Sequence, residues 1–150
     1  MPATFELSLT VASDDVDGWG HANNLVYLHW LMRAATAHSA AQGWDAARYR
    51  ESGGAFVVRS HRLEYRRPCF AGDALTVRTW VEEFAKASSR RWYRITRTNE
   101  VGAEETILEA STDWAYVSLD GGKPRRIPAE LAASFEIVPE RLWQAHRPGA

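Results

Sequence analysis

The sequence predicts an α+β domain in which an antiparallel sheet wraps one long helix. Three observations lead there. One segment, from about Asn24 to Gln42, is apolar on almost every side at helical spacing. Other segments alternate with period two and are bounded by turn residues, as strands are. The breaks between the last of these are short, which favours hairpins over crossovers. A helix apolar nearly all round is a buried one. In one small domain, the neighbour able to cover it is a sheet curled around it.

Taken in order, residues 4 to 11 (TFELSLTV) alternate and read as a half-buried strand. A turn crowded with aspartate and glycine follows, DDVDGWG from Asp14 to Gly20. Asn23 or Asn24 suits the N-cap of the long helix, and Gly43 suits the residue just past its end. Stepping about 100° per residue, Thr36, His29, Ala40 and Arg33 fall in one narrow arc. Leu25, Val26, Leu28, Trp30, Leu31, Met32, Ala34, Ala35, Ala37 and Ala41 fill most of the rest, with His38 and Gln42 as polar exceptions near the far end. Residues 44 to 52 (WDAARYRES) form a short helix or turn. Gly53–Gly54 then open a strand-rich half: Ala55 to Arg67, Ala74 to Phe84, Ser89 to Thr98 and Glu105 to Leu119. Turn chemistry separates them at Pro68 with Gly72–Asp73, at Lys86 to Ser88, at Asn99 with Gly102, and at Asp120–Gly121–Gly122. The end carries Pro128, the helical patch AELAASF and Pro139, and is expected to be a weakly ordered cap. A single domain spans 1–150, with its core at about 4–135 and a tail at 136–150.

Bulk properties narrow the function. A chain of 150 residues that is 45% hydrophobic can build one real core. A net charge of −1 gives no electrostatic reason to expect nucleic acid. The single cysteine, Cys69, excludes an internal disulfide and a cysteine metal cage. It has no base beside it in sequence to make it a nucleophile. The first residues show no basic, then apolar, leader, and no run of about 20 apolar residues exists. The expectation is a cytoplasmic protein without a membrane partner.

The chemistry concentrates in the aspartate turn, where four readings compete. Asp, Asn and Gly there can serve only to make the turn and cap the helix. Asp15 and Asp17 begin a calcium-loop pattern, but Trp19 and His21 break it, and His29 and His38 lie on opposite sides of the helix. No metal is expected. A serine hydrolase needs a G-x-S-x-G elbow, which the sequence lacks. The fourth reading is a carboxylate beside a helix N-terminus. Free N–H groups near Asn23 to Val26 can stabilise a carbonyl oxygen gaining negative charge. A nearby carboxylate can activate water or attack directly. Such a pair suits a thioester, whose thiol, with a pKa near ~8.5, leaves without a strong acid. Neither a Ser-His-Asp triad nor a cofactor is then needed.

The run DVDGWGHANNLVY, Asp15 to Tyr27, resembles the D-x-D-x-x-G-H-x-N-N-x-x-Y signature of hotdog-fold thioesterases of the 4-hydroxybenzoyl-CoA thioesterase-like superfamily. FVVR (Phe56 to Arg59), YRRP (Tyr65 to Pro68), GDALTV (Gly72 to Val77) and GKPRRIP (Gly122 to Pro128) agree with it. The resemblance implies a helix wrapped by an antiparallel sheet of about five strands, and an acyl-CoA thioesterase. It places Asp17 on the catalytic carboxylate, as base or nucleophile, and Asn24 at the oxyanion hole. His21, Asn23 and Tyr27 match signature positions that shape the turn and the acyl pocket, and Asp15 holds the loop. A partner chain's strand completes the site in the family, which points to Arg59, Ser60 and His61 here, with an ordinary strand role the alternative for His61. Lys86, Arg90 and Arg91 are the corresponding candidates for CoA phosphates. The implied partners are an acyl-CoA, or the thioester of an acyl carrier protein, and further copies of the chain as a dimer or a dimer of dimers (a homotetramer). Trp19, Trp30 and Trp80 are candidates for an acyl tunnel, with packing as the competing role. Two other functions fit the same residues: a hydratase or dehydratase acting on acyl thioesters, and a non-catalytic acyl-CoA binder.

Overall fold

A computed structural model describes residues 4–144. Five strands form one antiparallel sheet: β1 (Phe5–Thr10), β2 (Gly54–Tyr65), β3 (Ala74–Phe84), β4 (Ser88–Thr98) and β5 (Glu104–Ser118), in the order β1-β3-β4-β5-β2. Helix α1 (Asn24–Ala41) crosses the inner face, and α2 (Ala46–Ser52) follows it. The α+β architecture and its five strands match the expectation. No helix among the described residues is long and apolar enough to cross a membrane.

Alternation explains the sheet. Leu75, Val77, Thr79 and Val81 are buried in β3, and the register sets Leu7 opposite Val77 and Leu9 opposite Leu75. Tyr93 and Ile95 of β4 and Leu108 and Ala110 of β5 continue the buried layer. Side chains two apart share a face, so one inward set builds one core.

Helix α1 begins where expected. Asn23 is its N-cap, with the side-chain oxygen accepting from the Leu25 N–H at 2.9 Å. It ends before Gly43, whose φ of +92° only glycine adopts at low cost. Tyr27, Trp30, Leu31, Ala34, Ala35 and His38 form the stripe that the sheet buries. Within one chain the cover is one-sided. His29, Arg33, Thr36 and Ala40 face solvent, as their shared arc implied, but Leu25 is also 75% exposed.

The tail departs from expectation. Ile127, Leu131 and Phe135 are buried with Trp44, Val81 and Tyr116 in a second apolar cluster. β1 stops pairing at Thr79, and beyond that point Ile137 bridges Val81 while the Val138 N–H donates to the Val81 carbonyl at 2.9 Å. In α4 (Glu140–Gln144), Trp143 then packs on the outer face, 4.3 Å from the Trp92 ring and 6.2 Å from Trp80. The segment is therefore a packed strap rather than a weakly ordered cap. Its pieces, α3 (Ala129–Ala133) and α4, are too short to show periodicity, so their apolar anchors gave no pattern. Residues 145–150 of the expected tail lie outside the described residues.

Candidate active site

The loop before α1 is closed by its own backbone. Val16 bridges Ala22, the Asp17 N–H donates to the His21 carbonyl at 2.8 Å, and the Asn23 N–H donates to the Asp15 carbonyl at 2.8 Å. Asp15 also accepts from the Ala12 N–H through Oδ2 at 2.9 Å, so it ties the loop at both ends. Gly20, at φ +82°, makes the reversal. The loop leans on the segment after β2: Ala22 N–H donates to the Cys69 carbonyl, and the His21 ring meets the Phe70 ring edge-on at 5.2 Å.

Asp17 sits at the exposed tip of this hairpin. Its Oδ1 accepts from the Trp19 N–H at 2.9 Å and the His21 N–H at 3.3 Å. Its Oδ2 takes no hydrogen bond among the described residues. The backbone donors at the helix start sort in a similar way. Asn23 donates to Asp15, Leu25 to the Asn23 side chain, and Val26 to the Asn23 carbonyl at 3.0 Å. Asn24 is the first helical residue and has no preceding turn to receive its N–H. Among Asn23 to Val26, its N–H is the one with no acceptor among the described residues.

The other expected residues separate into groups. Tyr27 is core: it is 3% exposed, its hydroxyl lies 3.3 Å from Cys69 Sγ, and burial raises its pKa well above the ordinary tyrosine value. Burial likewise raises the Cys69 thiol. Arg59 and Ser60 are exposed on β2 at a bulge between Val58 and Ser60, and Ser60 donates to Asp113 at 3.3 Å. His61 Nδ1 lies 2.8 Å from Thr112 Oγ1, and burial lowers its pKa. Lys86 is exposed in the β3–β4 turn. Arg90 is held by Asp113 at 2.7 Å and Glu82 at 3.5 Å.

Arg91 does not join Lys86 and Arg90 in a surface grip. Neighbouring strand residues point to opposite faces, and Arg91 turns inward, 7% exposed, with Nη1 2.8 Å from His38 Nδ1 and 3.1 Å from Thr79 Oγ1. It borders a cavity of about 380 Å³ between the second half of α1 and the sheet. Trp44, Phe56, Phe84, Trp114 and Phe135 supply its aromatic wall. The candidate tryptophans for an acyl tunnel do not line this cavity: Trp19 is 85% exposed, while Trp30, in the core, and Trp80, under Trp143, take the competing packing role. No motif marked Trp44 or Trp114. Their placement depends on how α2 and β5 meet, which local sequence does not encode.

The loop and the cavity lie at opposite ends of α1. The cavity begins at Ala35, 11 residues from Asn24, or about 17 Å along the axis. Asp17 is not among its lining residues.

Comparison with known proteins places this arrangement. A family model described as the thioesterase-like superfamily matches residues 11–135. The fold also matches solved structures. An Asp-to-Asn variant of 4-hydroxybenzoyl-CoA thioesterase complexed with 4-hydroxybenzoyl-CoA has a TM-score of 0.82 and 19% identity, covering 90% of this chain and 100% of that one. 4-Hydroxybenzoyl-CoA thioesterase from Pseudomonas sp. strain CBS-3 gives 0.79 and 20%, covering 89% and 99%. A 1,4-dihydroxy-2-naphthoyl-CoA thioesterase from Synechocystis gives 0.77 and 17%, covering 87% and 94%. At such identities the structural likeness speaks for the hotdog fold, and the family model speaks for descent. The chain belongs to the thioesterase-like superfamily.

Proposed function

We propose that the protein hydrolyses an acyl thioester, most simply an acyl-CoA, to a carboxylate and a free thiol. One observation carries the reading. A single loop presents an exposed carboxylate, Asp17, and leads into a helix whose first residue is Asn24; among the described residues one Asp17 oxygen and the Asn24 N–H are unengaged. In the proposed step, water activated by Asp17, or the carboxylate itself, adds to the thioester carbonyl. The oxygen of that carbonyl takes the electron pair and is held by the Asn24 N–H at the positive end of α1. Collapse expels the thiolate. If Asp17 has attacked, water then cleaves the resulting anhydride. Asn23 and His21 shape the loop. A hydratase would need an acid and a base facing the substrate carbons, but the His21 ring packs edge-on to Phe70.

The working unit in this reading is a dimer, which also resolves the distance between loop and cavity. β2 is a sheet edge, with Val57 and Val58 45% and 42% exposed. Two copies pairing antiparallel along it would make one continuous sheet. The Tyr65 end of β2 carries the α1 N-terminus, because Tyr65 donates to the Asn24 carbonyl at 3.3 Å. The Gly54 end carries the cavity, which Ala55 and Phe56 line. Antiparallel pairing sets one copy's Tyr65 end beside the other's Gly54 end. Each Asp17 loop then serves the cavity of its partner, with Arg59, Ser60 and His61 at the seam. The exposed Leu25 side of α1 gains a cover in the same step. Lys86 and Arg90 are proposed to meet the CoA phosphates.

A panel of acyl-CoA thioesters read by a thiol-detecting dye tests the activity. Wild-type protein should release thiol from at least one, and Asp17→Asn should release almost none. Equal rates for the two proteins would contradict the role given to Asp17.

A further inference from the structure

Arg91 is a buried cation with no anionic partner among the described residues. Its Nη1 is shared between two neutral acceptors, His38 Nδ1 and Thr79 Oγ1. Thr79 spends its own proton on the Trp92 carbonyl at 2.8 Å, so a lone pair faces Arg91. His38 stays neutral at physiological pH, its pKa pulled down to about 4 by burial and then by the Arg91 charge. No carboxylate lies within 4.0 Å of Arg91 among the described residues, and its Nε and Nη2 have no hydrogen-bond acceptor there. Three other arginines of these strands contrast with it. Arg78 pairs with Glu6 and Glu104, Arg90 with Asp113 and Glu82, and Arg97 with Asp73 and Glu105. Those three are more exposed and need an anion less.

A guanidinium taken from water is costly unless paired. Nε and Nη2 together form the side-on fork that grips a carboxylate through two parallel bonds. Arg91 lies in the wall of a cavity whose lining is largely aromatic and aliphatic. Asp45 and Arg50 also border that cavity, but both are solvent-exposed.

We propose that the acyl group taken by this cavity has an apolar body and a carboxylate at its far end, held by Arg91: the substrate class is the monothioester of a dicarboxylic acid. The aromatic wall receives the body, and the thioester end extends toward the partner's Asp17 loop. The catalytic half of this statement rests on the thioesterase reading; the binding half does not.

Two measurements keep the halves apart. In the first, calorimetry compares monomethyl suberate, which keeps one carboxylate, with uncharged dimethyl suberate on the intact wild-type protein. Monomethyl suberate should bind at least ~10-fold more tightly. In the second, kcat/KM is compared for suberyl-CoA and octanoyl-CoA, which share a chain length. Wild type should prefer suberyl-CoA by about 10- to 100-fold. Arg91→Met should erase both preferences without lowering the melting temperature, since an unpaired buried charge is removed. Arg91→Lys, which keeps the charge and loses the fork, should retain part of them if the Met variant does not fold. Equal binding of the two esters by wild type overturns the assignment, as does equal turnover of the two thioesters. Selective binding of monomethyl suberate with no thiol released from either thioester upholds the Arg91 site and sinks the thioesterase reading instead.

Discussion

The two ends of α1 are built on opposite principles. At the N-terminal end, Asp17 is exposed at the tip of a self-bonded hairpin, and the apolar residues around it are exposed as well: Trp19 at 85%, Leu25 at 75% and Phe70 at 42%. At the other end, a cavity of about 380 Å³ has aromatic side chains in its wall and is bordered by the buried Arg91, which contacts His38. One end offers an exposed carboxylate and a helix N-terminus without an enclosure; the other offers an enclosure lined largely by aromatic and aliphatic side chains. Low dielectric and exclusion of water strengthen catalytic electrostatics, so in the proposed reading the two ends work together. The difference is what the proposed dimer accounts for: the edge strand β2 runs from the loop end to the cavity end, so pairing along it would bring one copy's loop to the other's cavity.

The comparison can be broken first at Asp17. Asp17→Asn should reduce kcat/KM by about 10³-fold with an unchanged melting temperature, because the amide oxygen can still accept from the Trp19 N–H. A variant that loses both activity and stability would make Asp17 a turn residue and nothing more.

A second effect belongs to the cavity end alone. The folded pKa of His38, about 4, lies below its unfolded value of 6.5. As pH falls, the unfolded chain takes up this proton first. The contribution of neutral His38 to stability is therefore complete above about pH 6.5 and is lost as pH falls toward 4, by about 2–3 kcal/mol. Thermal melts from pH 7 to pH 4.5 should show this slope in wild type and in Asp17→Asn, and a shallower one in His38→Gln. An equal slope in all three would place the acid-sensitive group elsewhere.

The smallest expected effect is at the join. Val58→Lys places a charge on the exposed β2 edge, a device that blocks strand pairing. Sedimentation should show dissociation toward monomers, with activity at low protein concentration down roughly tenfold. Full activity in a demonstrated monomer would remove the need for a partner.

Much of this was legible in the sequence, for identifiable reasons. The strand ends fell within two residues of expectation because glycine, proline and asparagine punctuate them and the alternation is clean; Ala74–Phe84 agrees at both ends. The cap at Asn23 and the stop before Gly43 follow from side-chain hydrogen bonding and left-handed backbone, both local properties. The Asp17 loop stood out through its density of turn formers beside an apolar helix. Arg91 and Arg90 are adjacent in sequence, which suggests a shared role, but strand geometry sends them to opposite faces. The tail looks loose in sequence because Ile127, Leu131, Phe135 and Trp143 are separated by prolines and very short helices. The cavity has no sequence signature because it is assembled from α1, α2, the sheet and the tail together. No stretch of sequence contains it.

Subunit complementation tests the central claim most directly. Asp17→Asn leaves the cavity intact; Ala35→Phe fills the cavity from α1 and leaves the loop intact. Each variant alone should be nearly inactive. Mixed under conditions that let subunits exchange, they should recover about a quarter of wild-type activity, because half the dimers are mixed and each mixed dimer holds one site with neither lesion. Recovery to that level confirms that each loop works on its partner's cavity. If the exchanged mixture, shown to contain mixed dimers, stays as inactive as its components, loop and cavity do not meet across the join and the account is wrong.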